Sequence, residues 1–387
     1  FKNTSKNFAN VEFVIVDGAL TITTDDTEVV VTVTGNTKTV VYDGTEHSVE
    51  GYTVDVNGLP ITVTPKAGTA AKASGTNAGT YYMGLTADDF TAESNNYSNI
   101  RIAVTDGWLK IDPITDKVTV TVTENADTVE YDGKEHSVTG YASIVSDHAL
   151  YDVANVAETP TDAWTAKGTD AGTYPVGIKS GDFKNTSVNF TNVAFVIVDG
   201  VLKINPITEN TITITANSAS KTYDGTPLTD IGFTFTEGVL KNGDVLTAVV
   251  EGSATNVGDE GKNVVKSYKV MRDGVDVTGN YTFTDSVDGK LTINKRTVTL
   301  TSETASKEYD GTPLTKPDVT VGGDGFVTGE VTDVKATGSV TFVHEGEVTN
   351  AITYTEGANY KESNYTITKD EGKLSITKRE GEGKTIT

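Results

Sequence analysis

The chain of 387 residues contains no cysteine and no glutamine. Without thiols, disulfides, thiolate zinc sites, iron–sulfur clusters and cysteine nucleophiles are all excluded. Without glutamine, so are Cys–Gln thioester and Thr–Gln ester crosslinks. Basic residues are scarce: 31 Lys and Arg stand against 54 Asp and Glu, a formal net charge of −23. That field repels phosphate backbones and anionic lipid, so no nucleic-acid partner is expected. No apolar run of about 18 residues occurs, and none of this segment is expected to insert into a membrane. No basic-then-apolar leader opens the chain, which begins at Phe1 and reads as a piece of something longer. A hydrophobic fraction of 36% is low, yet the pattern is too regular for disorder. The length suggests two to four domains.

Self-similarity decides the organisation. FKNTSKNFANVEFVIVDGALTI at Phe1–Ile22 returns as FKNTSVNFTNVAFVIVDGVLKI at Phe183–Ile204. The tripeptide Tyr-Asp-Gly recurs at Tyr42, Asp43, Gly44; Tyr131, Asp132, Gly133; Tyr223, Asp224, Gly225; and Tyr309, Asp310, Gly311, with a period of about 90 residues. An alternating Thr/Val stretch precedes each marker, and a DG-x-Leu-x-Ile-type strand closes each unit. The organisation follows: 1–26, the C-terminal part of a truncated repeat; 27–115, 116–207, 208–296 and 297–379, four repeats; 380–387, the start of a further one. Units one and two share YDG[TK]EHSV and an AGTY segment (Ala78–Tyr81, Ala171–Tyr174). Units three and four share YDGTPLT and an NYT segment (Asn280–Thr282, Asn364–Thr366). The seams Pro113–Thr115, Pro206–Thr208 and Lys295–Arg296 are too short for flexible tethers, and stiff end-to-end stacking of independent modules is expected.

Apolar and Thr residues alternate with period two, as in Val118–Val122, and no stretch carries the helical period. The expected fold is all-β: a rod-shaped tandem array of small Ig-like β-sandwiches, with β-grasp-like modules as the alternative. Asp-Gly between apolar runs, as in FVIV-DG-VLKI, predicts a closing two-residue hairpin. The marker tyrosines are expected to anchor the core of their own unit, with Asp and Gly forming the turn that follows. Modules of about 30–40 Å each would give four units a span on the order of 150 Å.

Little in the sequence suggests chemistry. His47 and His136 occupy equivalent places in YDG[TK]EH, but units three and four carry Pro-Leu there, so solvated turn histidines are expected. No GxSxG, P-loop or HExxH occurs. No cofactor is implied except calcium, through interdomain carboxylates. Against it, no D-x-[DN]-x-[DN]-G loop is present, and Lys295, Arg296, Lys378 and Arg379 stand where ligands would be needed. A Lys–Asn isopeptide would need an inward Lys, and the parity of Lys110 and Lys203 points them outward. N-x-[ST] sequons occur at Asn3, Asn96, Asn185, Asn189, Asn280 and Asn364.

The ordered set of markers (YDG, AGTY, NYT and the closing DG-x-Leu-x-Ile strand) resembles the YDG and MBG-type repeat domains of very large bacterial surface adhesins. The third unit departs from it, with TNVGDEGKN (Thr255–Asn263) in place of AGTY, and the fourth has no clear counterpart. The resemblance implies a non-enzymatic stalk segment of a secreted cell-surface protein or filament, whose partners are neighbouring repeats and other copies in a fibre. The alternatives are adhesive modules binding host or environmental glycans through Tyr81, Tyr82, Tyr97, Trp108 or Trp164, and a fibre subunit joined by strand complementation.

Overall fold

The computed structural model describes residues 1–160, 164–241, 243–259 and 261–381. Residues 382–387, most of the expected start of a further repeat, lie outside the described residues. The protein is all-β, with short 3-10 turns and no α-helix among the described residues. That removes the β-grasp alternative, whose sheet must clasp a helix. The modules are small Ig-like sandwiches. The chain forms two compact units: Phe1–Ala126, Val138–Ala166 and Pro175–Val201 in the first, Asp127–Ser137, Lys167–Tyr174 and Leu202–Thr387 in the second.

The first unit holds repeat 1, whose strands are β1 (Val29–Gly35), β2 (Thr37–Val41), β3 (His47–Glu50), β4 (Tyr52–Asp55), β5 (Thr62–Pro65), β6 (Lys72–Gly75), β7 (Gly79–Tyr82), β8 (Phe90–Glu93), β9 (Ile100–Thr105) and β10 (Trp108–Asp112). One sheet is ordered β4-β1-β9 and another β2-β10-β7, while β3–β6 and β5–β8 form two short antiparallel pairs. Val33, Leu85 and Phe90 centre one core, and Ala73, Leu109 and Ile111 a second. Period-two alternation explains the burial, since Val31 and Val33 point inward while Thr34 faces solvent.

The expected closing hairpin is not there. β9 and β10 run in the same direction as one kinked strand, parallel to β1 and β2. In repeat 2, Val193–Val198 likewise runs parallel to Val118–Thr123. A type I′ turn needs positive φ at both central residues, and neither Gly107 nor Gly200 has it. The glycine answers a different requirement: here the closing backbone crosses the opening one. A Cβ on Gly200 would lie 2.2 Å from the Asn125 carbonyl oxygen, and one on Gly107 2.6 Å from that of Asn36. In the second unit, Gly289 and Gly372 meet Asn217 and Glu303 in the same way, at 2.0 and 2.3 Å. Polar groups close the kink. The buried Glu124 carboxylate accepts from the backbone N–H of Ile178 and of Gly200, at 2.6 and 2.7 Å.

The second unit contains repeats 3 and 4. Its main core joins Tyr223, Ala254, Leu291 and Ile293 of repeat 3 to Val298, Leu300, Ile352 and Tyr365 of repeat 4. In the first unit, Tyr42 of repeat 1 packs on the core formed by Val118, Val120, Tyr151 and Phe190 of repeat 2. The expectation of independent modules is therefore corrected, because adjoining repeats share interior. The seams are not linkers either. Ile114 bridges to Phe190, and Arg296 already lies in the opening strand of repeat 4.

Candidate functional site: the inter-repeat junctions

The Asp and Gly of each marker form the turn. The Asp43 carboxylate accepts from the Thr45 N–H at 2.9 Å and Thr45 Oγ1 at 2.7 Å, which holds it down at about 2. Asp132, Asp224 and Asp310 accept from the N–H of Lys134, Thr226 and Thr312, at 2.8 to 2.9 Å. Gly44, Gly133, Gly225 and Gly311 follow at φ of 80–84°, where only glycine is unstrained. The two subtypes differ in what else holds the Asp. His47 and His136 lie 3.0 and 2.9 Å from Asp43 and Asp132, whereas Lys221 and Lys307 reach Asp224 and Asp310 from the preceding strand. The histidine side chains are only 19% and 27% exposed, so they are turn braces and not solvated groups.

The tyrosines do not serve their own module alone: Tyr42 packs on the repeat 1 core of Ala73, Leu109 and Ile111, and Tyr223 clusters with Ala254, Leu291 and Ile293 of repeat 3, while each also meets a ring of the following repeat. Tyr131 and Tyr223 are 2% and 3% exposed. Tyr131 stacks edge-on against Tyr281 at 5.6 Å and donates to Asp244 at 3.1 Å. Tyr223 meets Tyr365 edge-on at 5.6 Å and donates to Glu330 at 2.5 Å. Half-buried Tyr42 lies edge-on to Phe190 at 5.8 Å. Tyr309, which no described repeat follows, is 38% exposed and stacks on Phe342.

A second contact accompanies Tyr42, Tyr131 and Tyr223. The asparagine of Asn-[Phe/Tyr]-Thr in one repeat reaches back to the loop before β7, or its counterpart, in the repeat before it. Asn189 Oδ1 accepts from the Ala78 N–H at 2.6 Å and its Nδ2 donates to Asn77 at 3.0 Å. Asn280 makes the same pair with Ala171 and Asp170, at 2.6 and 2.7 Å. Asn364 makes it with Val257 and Asn256, at 2.8 and 3.0 Å. The AGTY tyrosines Tyr81 and Tyr174 fasten this loop by donating to the carbonyls of Asn77 and Asp170. In repeat 3, Asp259 fastens it instead, accepting from the N–H of Thr255 and Asn256. TNVGDEGKN is thus a working counterpart of AGTY.

The second junction adds an ion pair. Arg272 grips the buried Asp244 through Nε at 2.7 Å and Nη2 at 3.1 Å, and reaches Asp170 at 3.0 Å and the Tyr131 hydroxyl. Burial pushes the Asp244 carboxyl upward, but Arg272 and the two phenols outweigh it and keep it below the usual carboxylate range. At the third junction Glu330 accepts from both Tyr223 and Tyr365, and Arg296 donates to the Tyr223 carbonyl at 3.2 Å. Burial first and Glu330 second push the Tyr223 phenol up to about 12.

Among the described residues no three His, Asp or Glu side chains gather where they could hold a metal ion, and both junction carboxylates are occupied by tyrosines. Asn280 and Asn364 are buried in the junctions, so those two sequons are closed to glycosylation in the folded chain. Of the rings considered for glycans, Trp164 is buried with its indole N–H on Asp182, Tyr81, Tyr97 and Trp108 are half-buried, and Tyr82 is exposed. Lys110 and Lys203 are exposed, as their parity requires. No helix among the described residues is long and apolar enough to cross a membrane.

Fold and junctions together define a tandem array of small Ig-like β-modules with interlocked joints. No family model matches the sequence, and no curated protein does. Among solved structures, the N-terminal four Ig domains of Dscam1 isoform 4.44 align over 88% of this chain and 97% of that one, at 12% identity and a TM-score of 0.14. Protocadherin gamma B2 extracellular cadherin domains 1–5 align over 92% and 80%, at 10% identity and 0.23. The Bacillus anthracis TIE protein aligns over 89% and 73%, at 10% identity and 0.16. At these TM-scores none of the similarities says what the chain does.

Proposed function

We propose that this chain is a non-catalytic structural spacer, a stalk segment of a secreted bacterial surface protein or filament that holds a distal domain away from the cell. One observation carries this reading: at three successive junctions the marker tyrosine packs edge-on against an aromatic ring of the next repeat. Chemistry concentrated at joints, with the polar groups there occupied by one another, suits a part whose work is to fix neighbours in place. High negative charge keeps such segments soluble and apart. The resemblance to adhesin repeats supports the extracellular setting.

Small-angle scattering of the full chain tests it. Modules in line predict a maximum dimension on the order of 150 Å and a radius of gyration of roughly 40 Å. A radius near 21 Å, about that of a compact globule of this length, would refute it.

A further inference from the structure

In a chain pulled from its ends, load enters each repeat through the opening strand and leaves through the closing strand. These two strands are parallel neighbours. In repeat 1, Val29–Thr34 is in register with Ile100–Thr105 and Thr37–Val41 with Trp108–Asp112. In repeat 2, Val118–Thr123 pairs with Val193–Val198, and Asp127–Glu130 with Leu202–Asn205. In repeat 4, Arg296–Thr301 pairs with Tyr365–Asp370, and Ala305–Glu308 with Leu374–Thr377. Pulling such a pair slides one strand along the other. Ladder hydrogen bonds lie across that direction and share the load, whereas strands peeled from one end lose their bonds one after another. The crossing glycines add an obstacle, since Gly372 is seated against Glu303 where the strands would have to slip.

Repeat 3 departs from this pattern. Its opening strand meets Tyr281 and Phe283 only at Ile207 and Ile212, with a register shift between them. A single bridge joins Thr215 to Val287, and continuous pairing is confined to Ala219–Thr222 with Leu291–Asn294.

We propose that the repeats are shear clamps that bear tensile load, and that repeat 3 is the element that yields first. The proposal rests on the spacer reading only for the direction of the load. The clamp itself is a property of each repeat.

Single-molecule force spectroscopy on the full chain tests both parts, and the absence of cysteine makes engineered handles unique. With Lys295→Cys and Thr377→Cys, repeat 4 is sheared. With Glu308→Cys and Thr377→Cys, residues in register at one end of the pair, the same ladder is unzipped. All three positions are exposed, so the substitutions leave the packing intact. The shear geometry is expected to break at several times the force of the unzipping geometry, and equal forces would overturn the clamp.

Pulled from its ends, the chain should give four events, each releasing roughly 300 Å for about 90 residues, one clearly weaker than the rest. Inserting about 20 Gly/Ser residues between exposed Asp273 and Gly274 should lengthen that weak event by roughly 70 Å. If a strong event lengthens instead, repeat 3 is not the weak element. A compact scattering radius would sink the spacer reading and leave the handle measurements within repeat 4 fully interpretable.

Discussion

Replacing Tyr131 by Ala separates the junction role of the marker tyrosine from a role inside its own module. The ring is 2% exposed, lies against Tyr281 and sits under Arg272, whose guanidinium carbon is 5.7 Å from its centroid. Truncating a buried aromatic costs about 3–5 kcal/mol. Asp244 keeps Arg272 and the Tyr281 hydroxyl, the latter at 2.6 Å, so no orphaned charge adds to that figure. Tyr131→Phe removes only the hydroxyl, and about 1.5–3 kcal/mol is expected for a hydrogen bond to a charged group. Tyr309→Ala is the internal control: the same motif, a ring 38% exposed, and a cost within about 1 kcal/mol. Urea unfolding followed by far-ultraviolet circular dichroism reads every repeat, and the two tryptophans, Trp108 in repeat 1 and Trp164 in repeat 2, add a local signal for those two. Nearest-neighbour coupling further predicts that Tyr131→Ala splits the joint transition of repeats 2 and 3 into two. Equal destabilisation by Tyr131→Ala and Tyr309→Ala would refute the reasoning, because the marker would then act within its own module.

Four further outcomes follow. Gly200→Ala forces a methyl to 2.2 Å from the Asn125 carbonyl and should cost at least about 1–3 kcal/mol, while Gly18→Ala, at the same motif position in the exposed N-terminal segment, should leave the melting temperature unchanged. Because folding raises the Tyr223 pKa to about 12, its contribution is complete below pH 10 and is lost as pH climbs through 12; tyrosinate absorbance should rise together with unfolding of repeats 3 and 4. Asp43 and Asp310 are held at about 2, so their contribution is present above pH 4 and is lost as pH falls toward 2; the amide resonances of Thr45 and Thr312 should shift in that window. Asn364→Ala removes an acceptor from the Val257 N–H at a buried site and should cost about 1–3 kcal/mol by chemical denaturation, a loss that Asn96→Ala, in exposed sequence, should not show.

The repeat period, the all-β class and the turn made by Asp43–Gly44 and its counterparts could be read from local pattern, because period two and Asx chemistry act over a few residues. The closing strand could not. Val-Asp-Gly-Val at 198–201 satisfies the rule for a hairpin, yet the glycine is there for a backbone 75 residues earlier in the chain. The tyrosines stood out as markers, but their covering partners, Asp244 and Tyr281 for Tyr131, lie in another repeat. Asn189, Asn280 and Asn364 were legible only as sequons, since nothing nearby announces that they reach back more than 100 residues. The counterpart of AGTY in repeat 3 was hidden for a related reason. What the junction takes there is the N–H of residue 257 together with the Asn256 side-chain oxygen, and the main-chain half of that pair leaves no trace in residue identity.

That last feature bears on how such arrays change over generations. A joint half of whose socket is a peptide N–H places little demand on the amino acid that supplies that half, so with an Asn or Asp oxygen kept just before it the rest of the socket can drift in sequence while still receiving the same plug.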